Sequence, residues 1–514
     1  MVGIGHVATV ANVKGINVVT KSKCILRLSQ VPSLTLTKVP RIAEIPQSAV
    51  EGLKVALTQC ERLPKQLQSE GDALWQKVSQ RRFPASKSVV LAARNAVSKK
   101  MKEQECNDIS EELYGNRIKE GERENFNMKV AKELNRMNYK WKPLTFQNVE
   151  KAAAYALGML SSHYSEVYRV LCEFDSNKFV PETVLDFGSG VGSSFWACNE
   201  KFGKAVKEYT LVDSDPIVSN FAMDIMRNED NKDVFVHPNV NFRRTLVPSL
   251  QTKYDLVIAH RSLIEFPNAE TRMELIKSLW QRTKKYLIFI ESHLYDSFDG
   301  VIEARDYILN GGKTIDFSKA DAILKENGIL NYKIQQIIDD NKISDFEKFF
   351  IIKAKLPQNV TIPTILEPGH VFAPCPHDKS CPKLELEDVK ERSCNFSIKY
   401  KDIRADGKKT KLLNGTGNTS FSFVILQKGD REVGKEFSPR LIKYQKGNKH
   451  YTCHGCTSFF GIQQFVVSKK NQHIYHLTKS ITHGDKIPYK IEVEQFLKEN
   501  DYALEEEIYN LKDS

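Results

Sequence analysis

The sequence predicts a doubly wound α/β sheet domain, preceded by a helical region and followed by a small β-rich domain that contains cysteines. Short apolar runs alternate with helical segments from residue 181, the preceding stretch has few Gly or Pro, and cysteines cluster in the last third. At 514 residues the chain exceeds a single core, and 41% hydrophobic with 10% aromatic residues suffices for folding. We therefore expect a chain of several folded domains.

Four near-continuous apolar runs define the central domain, and they lie at 183–185, 209–212, 256–259 and 286–290. Such runs separated by helices are typical of a parallel sheet covered on both faces. A later run at 349–352 is predicted to close the sheet as an edge strand, and the proline-containing stretch 356–368 is predicted to be a linker. The predicted domains are a helical region over 46–180, the sheet domain over 181–356 and the β-rich domain over 357–514.

Alternating patterns predict strands of the last domain at 421–426, 464–468 and 473–477. Residues 401–418 are predicted to form a flexible loop, and an acidic helix is predicted from Lys490. In the helical region, apolar residues at helical spacing predict a packing helix over 152–174.

The first 45 residues have the composition of an organellar targeting segment. The first acidic residue is Glu44, and it follows a series of basic residues spaced among Ser, Thr, Val and Leu: Lys14, Lys21, Lys23, Arg27, Lys38 and Arg41. This pattern indicates a mitochondrial transit peptide removed before Pro46, with an ordinary basic disordered tail as the alternative. The expected location is the mitochondrial matrix.

Charge and hydropathy restrict the partners. A net charge of +11 favours an acidic partner, most commonly nucleic acid. No apolar run approaches the roughly 18–20 residues needed to cross a bilayer, so no membrane partner is expected.

A glycine-rich loop follows the first predicted strand of the sheet domain. Asp186 ends that strand, and Gly188, Gly190 and Gly192 follow at alternate positions before a helix. These glycines let the backbone approach a ligand at a helix N-terminus, and their spacing differs from the dinucleotide G-x-G-x-x-G. Asp213, at the end of the second strand, can accept ribose hydroxyl protons. The pattern predicts a site for S-adenosylmethionine in a methyltransferase-like domain.

A device for attacking a nucleobase is not recognisable in this domain. Many amino-methylating enzymes carry Asp/Asn-Pro-Pro-aromatic after their fourth strand, and the matching residues 259–267, after the run 256–259, read Ala-His-Arg-Ser-Leu-Ile-Glu-Phe-Pro. Within this domain no Pro-Cys or Thr-Cys pair offers the thiolate needed for carbon-5 methylation of cytosine, and Cys198 is predicted to be a packing residue. Whether the protein is an enzyme is left open.

The cysteine-rich segment predicts a metal site. Cys375 and Cys381 form a C-x5-C pair, Cys394 follows, and a distant C-x2-C pair consists of Cys453 and Cys456. Four thiolates in one small domain can bind zinc or an iron–sulfur cluster, and spacing alone leaves both open. His377 and His454 are candidate ligands that more often act as hydrogen-bonding neighbours.

Several segments resemble the methyltransferase-like seventeen family with its fungal and bacterial relatives. They are 184–197, 304–306, 373–377 with Cys381, 394–397 and 421–426. The resemblance implies a four-iron, four-sulfur cluster held by Cys375, Cys381, Cys394 and a fourth ligand. For the fourth it favours Cys456, which precedes Thr457 and Gly461, with Cys453 in reserve.

The same resemblance implies binding to the rRNA of the mitochondrial small ribosomal subunit, alongside other assembly factors. The favoured function is an assembly factor that carries S-adenosylmethionine and the cluster, and the alternative is an active rRNA cytosine methyltransferase. A metabolic methyltransferase acting on a small molecule is disfavoured by the basic charge and the long helical region.

Overall fold

The computed structural model describes residues 4–5, 24–30, 39–84, 87–106, 120–136, 142–227, 233–357, 360–386, 391–407, 415–432, 438–458 and 461–496. Structural statements below concern these residues.

The strands fall into three sheets. They are β1 (Ile4–Gly5), β2 (Cys24–Gln30), β3 (Ile42–Ala43), β4 (Thr183–Phe187), β5 (Glu208–Val212), β6 (Val240–Arg243), β7 (Tyr254–His260), β8 (Thr283–Ser292), β9 (Gly369–Ala373), β10 (Phe396–Lys401), β11 (Thr416–Lys428), β12 (Arg440–Lys446), β13 (His450–Thr457), β14 (Gly461–Ser468) and β15 (Tyr489–Phe496).

The helices precede, interleave with and follow these strands. They are α1 (Gln47–Leu57), α2 (Pro64–Ser79), α3 (Lys87–Cys106), α4 (Glu120–Arg136), α5 (Val149–Leu171), α6 (Ser193–Phe202), α7 (Pro216–Met226), α8 (Ala269–Arg282), α9 (Tyr295–Gly311), α10 (Phe317–Glu326), α11 (Tyr332–Asp339), α12 (Asp345–Lys353) and α13 (Gln472–Ser480).

The main sheet has the strand order β6-β5-β4-β7-β8-β11-β10-β3, and β9 pairs with β11. Strands β6 to β8 are parallel, whereas β11 runs antiparallel to β8 and β10 antiparallel to β11. The chain order reverses between β4 and β7, which is the switch point where doubly wound sheets bind ligands. The predicted doubly wound sheet is therefore confirmed, and all four predicted core strands lie in it.

Helices cover both faces of this sheet, as the apolar runs require. One face packs under α5 and α6 around Trp196, and the other packs around Trp280. Helices α2 and α5 pack closely where Gly71 faces Gly158. A Cβ at Gly158 would lie only 2.6 Å from the carbonyl oxygen of Gly71, so this approach requires glycine. The end of α2 lies near the residues that follow β7 and β8.

The sheet continues past the predicted boundary at residue 356. Strands β9, β10 and β11 all come from the segment assigned to the β-rich domain, yet they extend the main sheet beside β8. A separate small sheet, β12-β13-β14, packs with α13 around a core that includes Tyr451, Phe465 and Tyr489. In sequence, Cys375, Cys381 and Cys394 therefore lie between β9 and β10, which are both strands of the main sheet.

Several predicted elements differ from the structure. Residues 349–352 lie in helix α12 rather than an edge strand, and 473–477 lie in helix α13. Lys490 lies in strand β15, which pairs with β2, so the described start of the predicted C-terminal helix is a strand. The predicted loop 401–418 is shorter, since β10 ends at Lys401 and β11 begins at Thr416.

Part of the leader is also paired rather than disordered. Strand β2 pairs with β15, and β3 adds to β10. Most of the predicted targeting segment lies outside the described residues. Among the helices that are described, none combines the length and apolar character needed to span a membrane.

Candidate cofactor and metal sites

The glycine loop connects β4 to α6 through three left-handed residues. Gly188, Gly190 and Gly192 have φ of +71°, +51° and +81°, a region that side chains rarely adopt. A Cβ at Gly188 would lie 2.3 Å from Ser262 Oγ, and one at Gly192 would lie 2.0 Å from Met226 Cε. Glycine is therefore required here both by conformation and by close packing.

Gly190 differs from its two neighbours because its missing side chain leaves open space. The nearest atom to a Cβ there is Tyr155 Cε1, at 3.8 Å. The Gly190 amide donates a hydrogen bond to Asp213 Oδ2 at 2.9 Å, and the Asp215 amide donates to Asp213 Oδ1 at 3.0 Å. The loop is therefore tied to the end of β5 by its own backbone.

A cavity of about 430 Å³, the glycine-loop cavity, opens at this point. Of the predicted cofactor residues, Gly188, Gly190 and Asp213 line it, whereas Asp186 and Gly192 do not. Burial raises the pKa of Asp213, although the two backbone amides counteract it. Each Asp213 oxygen accepts a single amide hydrogen bond, so each can accept a further one.

Asp186 supports the loop from below. Asp186 is buried, and this burial raises the pKa of its carboxyl to about 7, although the nearby Ser194 hydroxyl lowers it. Neither carboxylate oxygen has a hydrogen-bond partner of good geometry among the described residues. Cys198 is buried in the core behind the loop, in agreement with its predicted packing role. These residues shape the loop and leave contact with a ligand to others.

A buried charge cluster forms one wall of the cavity. The Glu166 carboxylate accepts hydrogen bonds from Arg261 Nη2 at 2.6 Å and Arg261 Nε at 3.1 Å, and from the Thr419 hydroxyl. His260 Nε2 lies 2.8 Å from Glu166 Oε2. Burial alone would raise the pKa of Glu166, but Arg261 and His260 outweigh it and hold the carboxyl ionised.

A second cavity, of about 510 Å³, lies on the other side of this cluster and is called the Trp75 cavity. His163 and Arg261 line both cavities. Its remaining walls come from the end of α2, from the residues after β8 and from the start of β11. Two cavities thus share the carboxyl edge of the sheet, separated by the Glu166–Arg261 pair.

The predicted metal ligands converge on a third cavity, the thiol cavity, which Cys375, Cys381, Cys394 and Cys456 all line. Burial raises the pKa of each of these thiols, and the mutual repulsion of their thiolate forms adds to the rise at Cys381, Cys394 and Cys456. The thiol cavity is small, about 30 Å³, and apolar side chains such as Phe298, Val301 and Phe423 complete its walls. Within the described ranges, no three His, Cys, Asp or Glu side chains are arranged to hold a single metal ion.

Strand β13 separates the two cysteines of the C-x2-C pair. Side chains alternate between the faces of a strand, so residues three apart point in opposite directions. Cys456 lines the thiol cavity, whereas Cys453 packs in the core of the small sheet with Phe465. The geometry therefore favours Cys456 over Cys453 as the fourth thiol.

His377 adjoins the thiols. Its Nε2 lies 3.3 Å from Cys456 Sγ, and its buried Nδ1 has no hydrogen-bond partner. Burial lowers its pKa to about 4, so the imidazole is neutral. His454 also has a buried Nδ1 without a partner, but it does not line the thiol cavity.

Two buried arginines bring positive charge to the thiol cavity, and both were missed by the sequence reasoning. Arg440 donates to the carbonyl of Pro374 at 3.1 Å and makes a bidentate pair with Glu173 at 2.8 and 3.0 Å. Arg305 donates to the carbonyl of Lys379. Cations of this kind suit an anionic centre made of several thiolates. Arg305 lies in 304–306, one of the segments that resemble the family, and this resemblance was the sequence signal that could have identified it.

Residues of the glycine-loop cavity that the sequence reasoning missed come from distant helices and loops. Tyr155 and His163 lie on α5, and Arg261 and Glu265 follow β7. Arg81 pairs with Glu265, and the Leu144 amide donates to the same carboxylate at 2.9 Å. Tertiary packing brings Tyr155 and His163 to the cavity from α5, whereas Arg261 and Glu265 follow a predicted core strand, which was the available signal for them.

Sequence comparison places these features in a known context. The family described as "Mitochondrial small ribosomal subunit Rsm22" matches residues 149–317 and 355–488. A human protein described as "Ribosome assembly protein METTL17, mitochondrial" is 24% identical over 462 residues, which are 88% of this chain and 84% of that protein. The family match includes the parallel strands of the sheet and all four thiols of the thiol cavity.

Solved structures with similar parts are methyltransferases. The magnesium protoporphyrin IX methyltransferase of Synechocystis PCC 6803 with bound S-adenosylmethionine matches with a TM-score of 0.25 and 20% identity, over 38% of this chain and 85% of that one. Human N-acetylserotonin methyltransferase matches with a TM-score of 0.23 and 21% identity, over 29% of this chain. The match spans 40% of that enzyme, less than half its length.

Proposed function

The chain belongs to the mitochondrial small ribosomal subunit Rsm22 family, and we propose that it is an assembly factor that binds immature small-subunit rRNA. The family match, which covers both the sheet and the thiol-bearing segments, is the observation that carries the proposal. The protein is mitochondrial, and we place it in the matrix, where its partners are the small subunit, its rRNA and other assembly factors.

RNA binding is supported by charge. The net charge is +11, and the small sheet presents exposed lysines on strand β12 and at its turns. These are Lys443, Lys446, Lys449, Lys469 and Lys470. Lysines of this kind neutralise phosphates and release counterions, which supplies most of the affinity of non-specific RNA binding.

S-adenosylmethionine is the proposed ligand of the glycine-loop cavity. The open space at Gly190 admits the amino-acid end of the cofactor, and Asp213 faces the cavity where ribose hydroxyls would donate. The position of the loop at the switch point of the doubly wound sheet supports a bound cofactor.

A four-iron, four-sulfur cluster is the proposed ligand of the thiol cavity, held by Cys375, Cys381, Cys394 and Cys456. Cluster ligands bind different iron atoms, so the four thiols need not meet at one point as zinc ligands do. When bound, the cluster supplies four covalent links among chain segments that are distant in sequence. The buried Arg305 and Arg440 would offset its negative charge.

An assembly role fits the glycine-loop cavity better than catalytic cytosine methylation. Carbon-5 methylation requires a thiolate that adds to the base. Among the described residues that line this cavity, none is a cysteine, and Cys198 is buried behind the loop. The cavity can therefore bind a cofactor without the nucleophile that this reaction needs.

The salt dependence of binding to small-subunit rRNA tests the proposal. We expect affinity to fall steeply with salt, and the triple variant Lys446→Gln, Lys449→Gln, Lys470→Gln to reduce the log–log slope by about 2–3, since each lost phosphate contact removes roughly 0.7–0.9. Filter binding or fluorescence anisotropy across a salt series measures the slope.

A matched control removes the same charge elsewhere. Lys319, Lys325 and Lys333 are exposed on α10 and α11, and the first two already pair with Asp316 and Asp321. Their replacement by Gln should leave the slope nearly unchanged. Binding by the wild-type protein that does not depend on salt would contradict electrostatic docking on rRNA.

A further inference from the structure

The Trp75 cavity has no role in the function proposed so far. It lies at the carboxyl ends of β7 and β8, beside the start of the antiparallel strand β11, which is the edge where doubly wound sheets bind ligands. Its volume of about 510 Å³ is within the range of small-molecule sites, and it shares His163 and Arg261 with the glycine-loop cavity. A ligand here would therefore touch the wall of the cofactor cavity.

The charges that line this cavity are already balanced. Arg261 is bonded to Glu166 through two nitrogen atoms, and Arg82 lies 3.4 Å from Asp296 and over the ring of Tyr295. An anion would need an unpaired cation here, and a cation would need an unpaired carboxylate. The chemistry of the walls instead suits an uncharged group.

Both histidines of the cavity are neutral as well. Burial lowers the pKa of His163 and of His293. Neutral imidazoles each offer one hydrogen-bond donor and one acceptor. The ligand group should therefore be uncharged and able both to donate and to accept hydrogen bonds.

The remaining walls favour a flat ring. Trp75 lines the cavity with an indole that is 38% exposed, and Met159 and Leu294 add apolar surface. Asn418 and Gln80 bring neutral amides that can pair with the edge of a heteroaromatic ring. Aromatic stacking combined with neutral hydrogen bonding is how proteins hold an unstacked base.

We propose that the Trp75 cavity binds a single unstacked nucleobase of single-stranded RNA. This inference rests on the proposed RNA-binding function and assigns part of it to one site. The exposed Lys399 lies opposite Asn418 on the neighbouring strand β10, where it can meet the phosphate of the strand that presents the base.

A short single-stranded RNA with 2-aminopurine at its centre tests the site. Stacking on an indole quenches this fluorescent base, so the full-length wild-type protein should quench it on binding. Trp75→Ala should abolish the quenching and weaken binding about tenfold, as expected for the loss of one base–aromatic stack. Asn418→Ala, a second and milder change, should weaken binding a few-fold through the loss of a base-edge contact.

Controls separate this site from general RNA binding. Tyr332→Ala removes an aromatic that is 77% exposed on α11 and lines neither cavity, so it should bind and quench as the wild type does. An RNA with an abasic position in place of 2-aminopurine should bind about tenfold more weakly than the base-containing strand.

Equal affinity for the abasic and base-containing RNA, or quenching that survives both Trp75→Ala and Asn418→Ala, would overturn the site while leaving RNA binding intact. Absence of any binding of small-subunit rRNA to the wild-type protein would instead overturn the proposed function, and this site with it.

Discussion

The glycine-loop cavity and the thiol cavity are built in opposite ways. The predicted residues of the first come from one continuous segment, 186–215. Two backbone amides of this segment donate hydrogen bonds to Asp213, one to each carboxylate oxygen. The second draws its thiols from three separate parts of the chain: the loop after β9, the residue two before β10, and β13. The glycine loop and Asp213 are therefore neighbours in sequence, whereas the four thiols meet only after the tertiary fold has formed.

The two cavities also differ in what they lack without a ligand. The glycine loop is held by hydrogen bonds that need no cofactor. Around the thiols, burial raises the pKa of all four cysteines, and the buried Nδ1 of His377 has no partner. A metal centre would replace the four thiol protons, so its binding free energy would become folding free energy. Loss of a ligand should therefore affect folding at the thiol cavity and only affinity at the glycine loop.

The largest effect is expected from Cys456→Ser. This change should abolish the iron–sulfur cluster and destabilise the small sheet with α13, since the metal centre would link it to the main sheet. Anaerobic purification followed by iron and sulfide analysis measures the first effect, and thermal unfolding measures the second.

Cys453→Ser is the matched control, because it alters the same strand on the opposite face. It should retain iron and sulfide and lose only the packing of one buried thiol. The reverse result would move the fourth ligand to Cys453. Stoichiometric zinc without iron or sulfide in the wild-type protein would contradict the cluster and leave a structural zinc site.

A large effect on affinity alone is expected from Gly190→Arg. The added side chain would enter the open space of the glycine-loop cavity, so binding of S-adenosylmethionine should be abolished in calorimetric titration. Gly203→Arg is the control, since Gly203 has a similar φ of +57° and nothing within 4 Å of its missing Cβ. It adds the same side chain at a glycine with positive φ that does not line the cavity, so it should bind normally. Normal affinity in Gly190→Arg would show that the cofactor binds elsewhere.

The local character of the glycine loop explains why the sequence was sufficient there. Apolar runs separated by helical segments predicted all four core strands, and the three alternate glycines indicated a loop before a helix, which is where the structure has it. In contrast, the pairing of β11 with β8 joins residues about 130 positions apart, and no pattern within either strand indicates it. The boundary predicted at residue 356 therefore missed the continuation of the sheet.

Two helices were predicted as strands although signals for helices were present. The apolar run 349–352 follows Ser344, whose side chain and that of Glu347 form a capping box at the start of α12. Residues 473–477 follow Asn471, which accepts a hydrogen bond from the Ile474 amide at the start of α13. Reading the caps before the apolar pattern would have indicated both helices.

A buried ion network joins two regions, the end of α5 and strand β12 at the thiol cavity. The variant Glu173→Gln tests how much this network contributes to the free energy of unfolding. Glu173 lies just after α5 and pairs with Arg440, which binds the carbonyl before Cys375. Arg169 and Lys486 also reach the carboxylate, at 3.1 Å each. Removing its charge would leave buried cations uncompensated, so we expect a loss of about 3–5 kcal/mol in the free energy of unfolding at pH 7.

The pH dependence distinguishes this ion pair from simple packing. Burial alone would raise the pKa of Glu173, but Arg440, Lys486 and Arg169 outweigh it and hold the pKa well below its usual range. The stabilisation is therefore present above the unfolded pKa of about 4.3 and is lost as pH falls below it. The difference in the free energy of unfolding between wild type and Glu173→Gln should shrink from pH 7 towards pH 3 in denaturant titrations.

The control is Glu182→Gln, which breaks an exposed pair with Lys207 and should change the free energy of unfolding by at most about 1 kcal/mol. A Glu173→Gln effect that is equally small, or equal at both pH values, would mean that packing rather than charge joins the two regions.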